Sequence, residues 1–250
     1  MAVSPTLLSL REWLAATGPI ADANIVAIEE GWSVTAEFLE LHSLAIEAFS
    51  RAAGKDPTPR ERALLVLAVH ALNLSSAAFG LVARGQFDVA PYVTRSLLDC
   101  HSLLFGCGQD ESVAERFLAG EEKLAWPSRK VFLDALRSSG YEDDATWIEA
   151  RFKGDYDAGN VLAHVGASQV GRVIHRDGDT IQPILGGRVD AAEANLLWRA
   201  VLDQEHWALI AVRGACADVL DGNWTTRFES AQAGLVAYMK KHEAKDGDGR

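Results

Sequence analysis

"DPTPRERALLVLAVHALNLSSAAFGLVA", residues 56–83, decides the fold. Residues 63–83 carry no formal charge over 21 positions, a length that would permit a membrane span. The run nevertheless contains His70, Asn73, Ser75 and Ser76, and no other segment of the chain repeats it. Its start is a helix signal. Thr58 stands as cap, Pro59 in the first turn and Glu61 three residues after the cap, which is a capping box. The stretch therefore reads as a central helix buried on most faces, not as a span.

Helical signals continue outward on both sides. Upstream, Ser4-Pro5 opens a helix expected to reach Gly18, and an amphipathic stretch follows from Ala23 to Ala53 with Gly31 placed to bend it. Downstream, "RGQFDVAP" (84–91) closes the central helix and sets Asp88 to cap the next one, which ends near Gly106 or Gly108. Asp110 caps a helix through "ESVAERFLAGEEKLAW" (111–126), with Pro127 as its breaker. "SRKVFLDALRSSG" (128–140) is amphipathic, and "DDATWIEARF" (143–152) and "DYDAGNVLAHVG" (155–166) read as two shorter helices. Asp190 and Glu193 form a second capping box, opening a helix to Asp221. A last helix covers Thr226 to Lys241. Between them, "QVGRVIHRDGDTIQPIL" (169–185) places β-branched runs on both sides of Asp177-Gly178, a hairpin signal.

The expected fold is all-α. It is a single antiparallel bundle of about eight to nine helices with one small β-hairpin near residues 170–185. Residues 1–242 form one domain, and 243–250 form a disordered tail.

Composition narrows the function classes. The chain has 250 residues, nearly half of them apolar, and a net charge of −11. That charge argues against broad binding to nucleic acid or an anionic membrane. Cys100, Cys107 and Cys216 are too few and too odd in number for a secreted disulfide framework. Cys100 and Cys107 are separated by about 10 Å of helical rise, too far to bridge. No basic start followed by an apolar run appears at the N-terminus, so the expected location is cytoplasmic, with no membrane partner. Gly-rich phosphate loops, a G-x-S-x-G elbow and zinc-spaced cysteines are absent, and no cofactor is expected.

Three constellations remain. In "YVTRSLLDCHSLLF" (92–105), Arg95 and Asp99 are four apart and lie within about 40° on one helical face, with Tyr92 a turn earlier. They form either a simple helical ion pair or part of a site. His101 is rotated from Arg95 by about 120° and stacks with Leu97, Leu98 and Phe105, the setting of a core histidine. In "DYDAGNVLAHVG", Asp157, Asn160 and His164 line one face and would orient a ligand or poise a proton transfer. In "LDQEHW" (202–207), Asp203, Glu205 and His206 would supply metal ligands, but no second acid-x-x-His pair accompanies them. His42, His70 and His242 lack ligand spacing, so no metal is expected.

Two family resemblances meet on the fourth helix. "ALNLSSAAFGLVARGQFDVAPYVTRSLLDCHSLL" resembles a bacterial helical family known as a domain of unknown function, with a Gly-ending helix, an Arg-Ser-Leu-Leu-acid helix and a later His-bearing helix. Asp99 stands where glutamate is usual, and His164 is the later histidine. That resemblance covers residues 60–165 and implies an all-helical fold without a known activity. "RSLLDCH" also resembles the mark of HEPN domains, an arginine followed by a histidine after four to six residues. This second resemblance implies a ribonuclease or toxin, with Arg95 stabilising phosphorane charge and His101 acting at the 2′-hydroxyl. It also implies a homodimer, RNA as substrate and an antitoxin as protein partner. The first expectation is a helical protein with a polar network or small pocket at Tyr92, Arg95, Asp99, Asp157, Asn160 and His164. The ribonuclease is the alternative.

Overall fold

The chain is described by a computed structural model over residues 10–163, 174–177, 180–183 and 189–247. Among these residues the protein is all-α, with nine helices: α1 (Leu10–Ala27), α2 (Glu29–Ala53), α3 (Pro59–Ala83), α4 (Ala90–Gln109), α5 (Glu111–Leu118), α6 (Ala125–Ser138), α7 (Glu142–Ala163), α8 (Ala191–Ala215) and α9 (Gly222–Gly247). The expected hairpin adds nothing to this architecture. Among the described residues Ile174–Asp177 pairs with Thr180–Pro183, and Gly178 and both flanks lie outside the described residues.

α3 is the run that decided the fold. Thr58 Oγ1 accepts from the Glu61 backbone N–H and the Glu61 carboxylate accepts from the Thr58 N–H, so both halves of the capping box form. The helix is long and apolar enough to cross a membrane by length and composition. It buries Leu64, Leu67, Ala71, Ala78, Phe79 and Val82 against α2, α4, α5 and α8, while Val66, Val69 and His70 stay exposed, so it is buried on one side and not on most faces as expected. α4 and α8 are the central elements: α4 packs on α3, α6, α7 and α8, and α8 packs on α1, α2, α3 and α4.

Several boundaries differ from expectation, each for a local reason. The start expected at Ser4-Pro5 lies outside the described residues. α1 runs through Gly18 and Pro19, and the chain turns at the fully buried Ile28 instead of at Gly31. Gly31 serves packing: a Cβ there would stand 2.8 Å from Tyr238 Oη and 3.1 Å from the Trp198 ring. Asp88 makes no cap, and Val89 occupies that position on α4. Pro127 does not break α5. It sits in the first turn of α6, where a missing N–H costs nothing, and the break is made at Gly120 and Lys123, with φ of 77° and 61°. α7 is one helix through Gly154 and Gly159, not two. Asp221 does not end α8. Its Oδ1 accepts from the Trp224 N–H at 2.7 Å and so caps α9.

α4 and α6 approach closely at Gly106. A Cβ on Gly106 would lie 2.8 Å from the Ser128 Cα, a backbone atom that cannot rotate away. Gly106→Ala is therefore expected to destabilise by about 1–3 kcal/mol through overpacking, despite the better helix propensity of alanine. Gly80→Ala meets nothing within 4 Å and should gain up to about 1 kcal/mol. Thermal denaturation of the two variants checks the sign. Equal midpoints would mean that α4 and α6 do not approach this closely.

Candidate functional site

α8 carries two adjacent polar residues into the core. Gln204 and Glu205 differ by about 100° around the helix, so they address different neighbours. Glu205 is fully buried and faces α2 and α3. His42 Nδ1 donates to its Oε1 at 2.7 Å, and the Ser75 hydroxyl donates to its Oε2. Both carboxylate oxygens are thus occupied, as a buried carboxylate requires. His42 Nε2 has no hydrogen-bond partner among the described residues.

Gln204 faces α4. Its Oε1 meets His101 Nε2 at 2.8 Å. His101 is fully buried, with its ring 5.4 Å from Phe152 and edge-on to Phe105 at 6.3 Å. Desolvation pushes its imidazole down to about 3; the Gln204 bond opposes this and the nearby Arg129 charge adds to it. Arg129 is buried as well. Its guanidinium donates to Ser102 Oγ at 3.0 Å from Nη2 and lies 4.6 Å over Phe152.

The residues singled out from sequence separate accordingly. Arg95 Nη1 lies 2.5 Å from Asp99 Oδ2, and its guanidinium covers the Tyr156 ring at 3.9 Å. Arg95 and Asp99 belong together, as their spacing indicates. His101 is directed elsewhere, to Gln204. Tyr92 and Asp157 are exposed, and no hydrogen bond or ion pair joins either side chain to Arg95 among the described residues. The Asn160 side chain and His164 lie outside the described residues. Asp203, Glu205 and His206 diverge: Asp203 pairs with Arg151 at 2.7 Å, and His206 Nε2 lies 3.0 Å from Gln232 Nε2. No cluster of metal-ligating side chains forms among the described residues. Cys100 is buried, and desolvation pushes its thiol up to about 12, far from a nucleophile's range.

The Asp99 side chain is 41% exposed, while Arg95 is 16% exposed. Asp99→Ala should therefore cost less than about 1 kcal/mol, as half-solvated i,i+4 pairs do. Arg95→Ala should cost more, since it also uncovers Tyr156. Urea titrations of both variants would check the order, and a larger loss from Asp99→Ala would overturn it.

In front of the polar layer is a cleft that sequence reasoning missed. It has a volume of about 450 Å³ and lies between α4, α6, α7 and α8. Phe105 and Phe132 stack at 4.0 Å in its wall, and Trp207 packs on Phe105 and Phe152 behind it. Trp147 lies 6.1 Å from Trp207 yet stays 61% exposed, and Tyr141 is 57% exposed. Large rings left in water beside a preformed apolar cleft are a signature of ligand sites. The polar groups on the lining are few, chiefly Gln109 and Asp144. No family model, curated protein or solved structure matches the chain.

Proposed function

We propose that the protein is a non-catalytic helical binding protein that takes a small, largely apolar molecule in the cleft between α4, α6, α7 and α8. One observation carries this reading: exposed Trp147 and Tyr141 stand beside a cleft of about 450 Å³ with stacked Phe105 and Phe132 in its wall. That volume falls in the range of drug-sized ligand sites. The buried polar layer behind it gives the wall rigidity. His101 and Gln204 tie α4 to α8, and Arg129 and Ser102 tie α6 to α4. A preformed wall lowers the ordering cost of binding. The ribonuclease alternative has no supporting geometry within one chain, because Arg95 engages Asp99 and Tyr156 while His101 is fully buried against Gln204.

The test is titration with the neutral fluorescent probe N-phenyl-1-naphthylamine. Gly214 lines the cleft, and a Cβ built there meets nothing within 4 Å, so Gly214→Leu fills the cleft without a clash at Cβ. Saturable binding to the wild type is expected, weakened about tenfold or more by Gly214→Leu as cleft volume is lost. Binding that is unchanged in Gly214→Leu would sink the assignment.

A further inference from the structure

The acids of α6 and α7 are unevenly paired. Asp134, Glu142 and Glu149 all converge on Arg137, at 3.5, 3.4 and 2.6 Å. That single guanidinium serves three of the acids carried by α6 and α7. Asp144 stands apart from them. It lines the cleft with Trp147 and Tyr141, and no basic side chain pairs with it among the described residues. Among the described residues it is also the one formally charged group on the cleft lining. A carboxylate in the first turn of α7 is favoured by the helix dipole, which accounts for an acid at this end of the helix. The dipole does not account for placing that acid on an aromatic wall.

From these observations we infer that the cleft selects an organic cation with an apolar body, such as a quaternary or aromatic ammonium. This rests on the binding reading above and names its ligand class. The positive centre sits between the Asp144 carboxylate and the faces of Trp147 and Tyr141, and the apolar body enters toward Phe105, Phe132 and Trp207. Each part of the lining has a matching part of the ligand. Aromatic faces attract a cation through the ring quadrupole, and they do so best for weakly hydrated ammonium groups. The carboxylate adds a directional charge, and the chain's net charge of −11 favours cation approach at long range. An anion of the same shape meets Asp144 directly and is disfavoured.

The experiment compares phenyltrimethylammonium with its neutral isostere tert-butylbenzene, each read by quenching of tryptophan fluorescence and by displacement of N-phenyl-1-naphthylamine. In the wild type the cation should bind about tenfold tighter than the isostere, and the preference should shrink as salt rises. Asp144→Asn should remove most of that preference. Gly214→Leu should weaken both probes. Equal affinity of the two probes for the wild type would overturn the cation assignment and leave the binding cleft standing. A cation preference that survives in Asp144→Asn would overturn the placement of the positive centre at the Asp144 carboxylate. Failure of both probes and of the naphthylamine to bind would overturn the cleft reading, and the cation assignment with it. Cation binding that persists in Gly214→Leu would place the site elsewhere and overturn both.

Discussion

Glu205→Ala is expected to destabilise the protein by about 3–5 kcal/mol, the combined cost of orphaned buried donors and a cavity. The substitution acts at the junction of three helices. Glu205 on α8 accepts from His42 on α2 and Ser75 on α3, and all three side chains are fully buried. Removing the carboxylate leaves the His42 Nδ1 and Ser75 hydroxyl donors without a partner in a place that water does not reach. Each buried group so orphaned costs about 1–3 kcal/mol, and the lost side-chain volume adds a cavity. The network itself need not be strongly stabilising. Apolar replacement of an entire buried polar cluster is often neutral or favourable. The triple variant His42→Leu, Ser75→Ala, Glu205→Leu should therefore recover much of the loss shown by Glu205→Ala. Urea denaturation of the single and triple variants decides this. If Glu205→Ala costs less than about 1 kcal/mol, the three helices are not held through this carboxylate.

Much of this was legible in the sequence, and the limit is instructive. The helices announce themselves through caps: Thr58 with Glu61, Asp110, and Asp190 each place an acceptor where free backbone N–H groups need one. Burial of single polar residues was also readable. Glu205 has Val201, Leu202, Ala208 and Leu209 at three- and four-residue spacing. His42 has Phe38, Leu39, Ala45 and Ile46; His101 has Leu97, Leu98, Leu104 and Phe105; Arg129 has Ala125, Trp126, Phe132 and Leu133. A polar residue ringed by apolar neighbours on its own helix is placed on the face that packs toward the core. Arg95 has Tyr92 and Asp99 in its ring, and its pair stays partly solvated. Periodicity locates a residue on a face but not the partner opposite. That Glu205 meets His42 and Gln204 meets His101 depends on how helices distant in sequence are brought together, and no spacing encodes it. The cleft escaped for the same reason, since its aromatic residues come from four separate helices and the turn before α7.

Acid should destabilise the protein well above the pH at which its carboxylates protonate. Burial holds His206 down to about 4 and His101 to about 3. His101 faces Gln204 on α8, the Arg129 guanidinium on α6 and Phe152 on α7. His206 faces Gln232 and Phe228 on α9 and Phe38 on α2. Among the described residues no carboxylate is bonded to either ring to stabilise an imidazolium. In the unfolded chain both rings take a proton near the ordinary histidine value of about 6.5. Below that pH the unfolded state binds more protons than the native state, so stability falls as pH falls. Each ring contributes a loss of about 1.4 kcal/mol per pH unit until the folded ring protonates too. From pH 7.5 to pH 5.0 the two together remove about 4 kcal/mol, a large part of a typical domain's stability. Urea midpoints at those two pH values measure the loss. His206→Asn starts from lower stability, because the ring's contacts with Phe38 and Phe228 go. Its further loss between the two pH values should nevertheless be about half that of the wild type, since one of the two titrating groups is gone. A wild-type midpoint that does not move over this interval would show that these imidazoles are not held neutral in the fold.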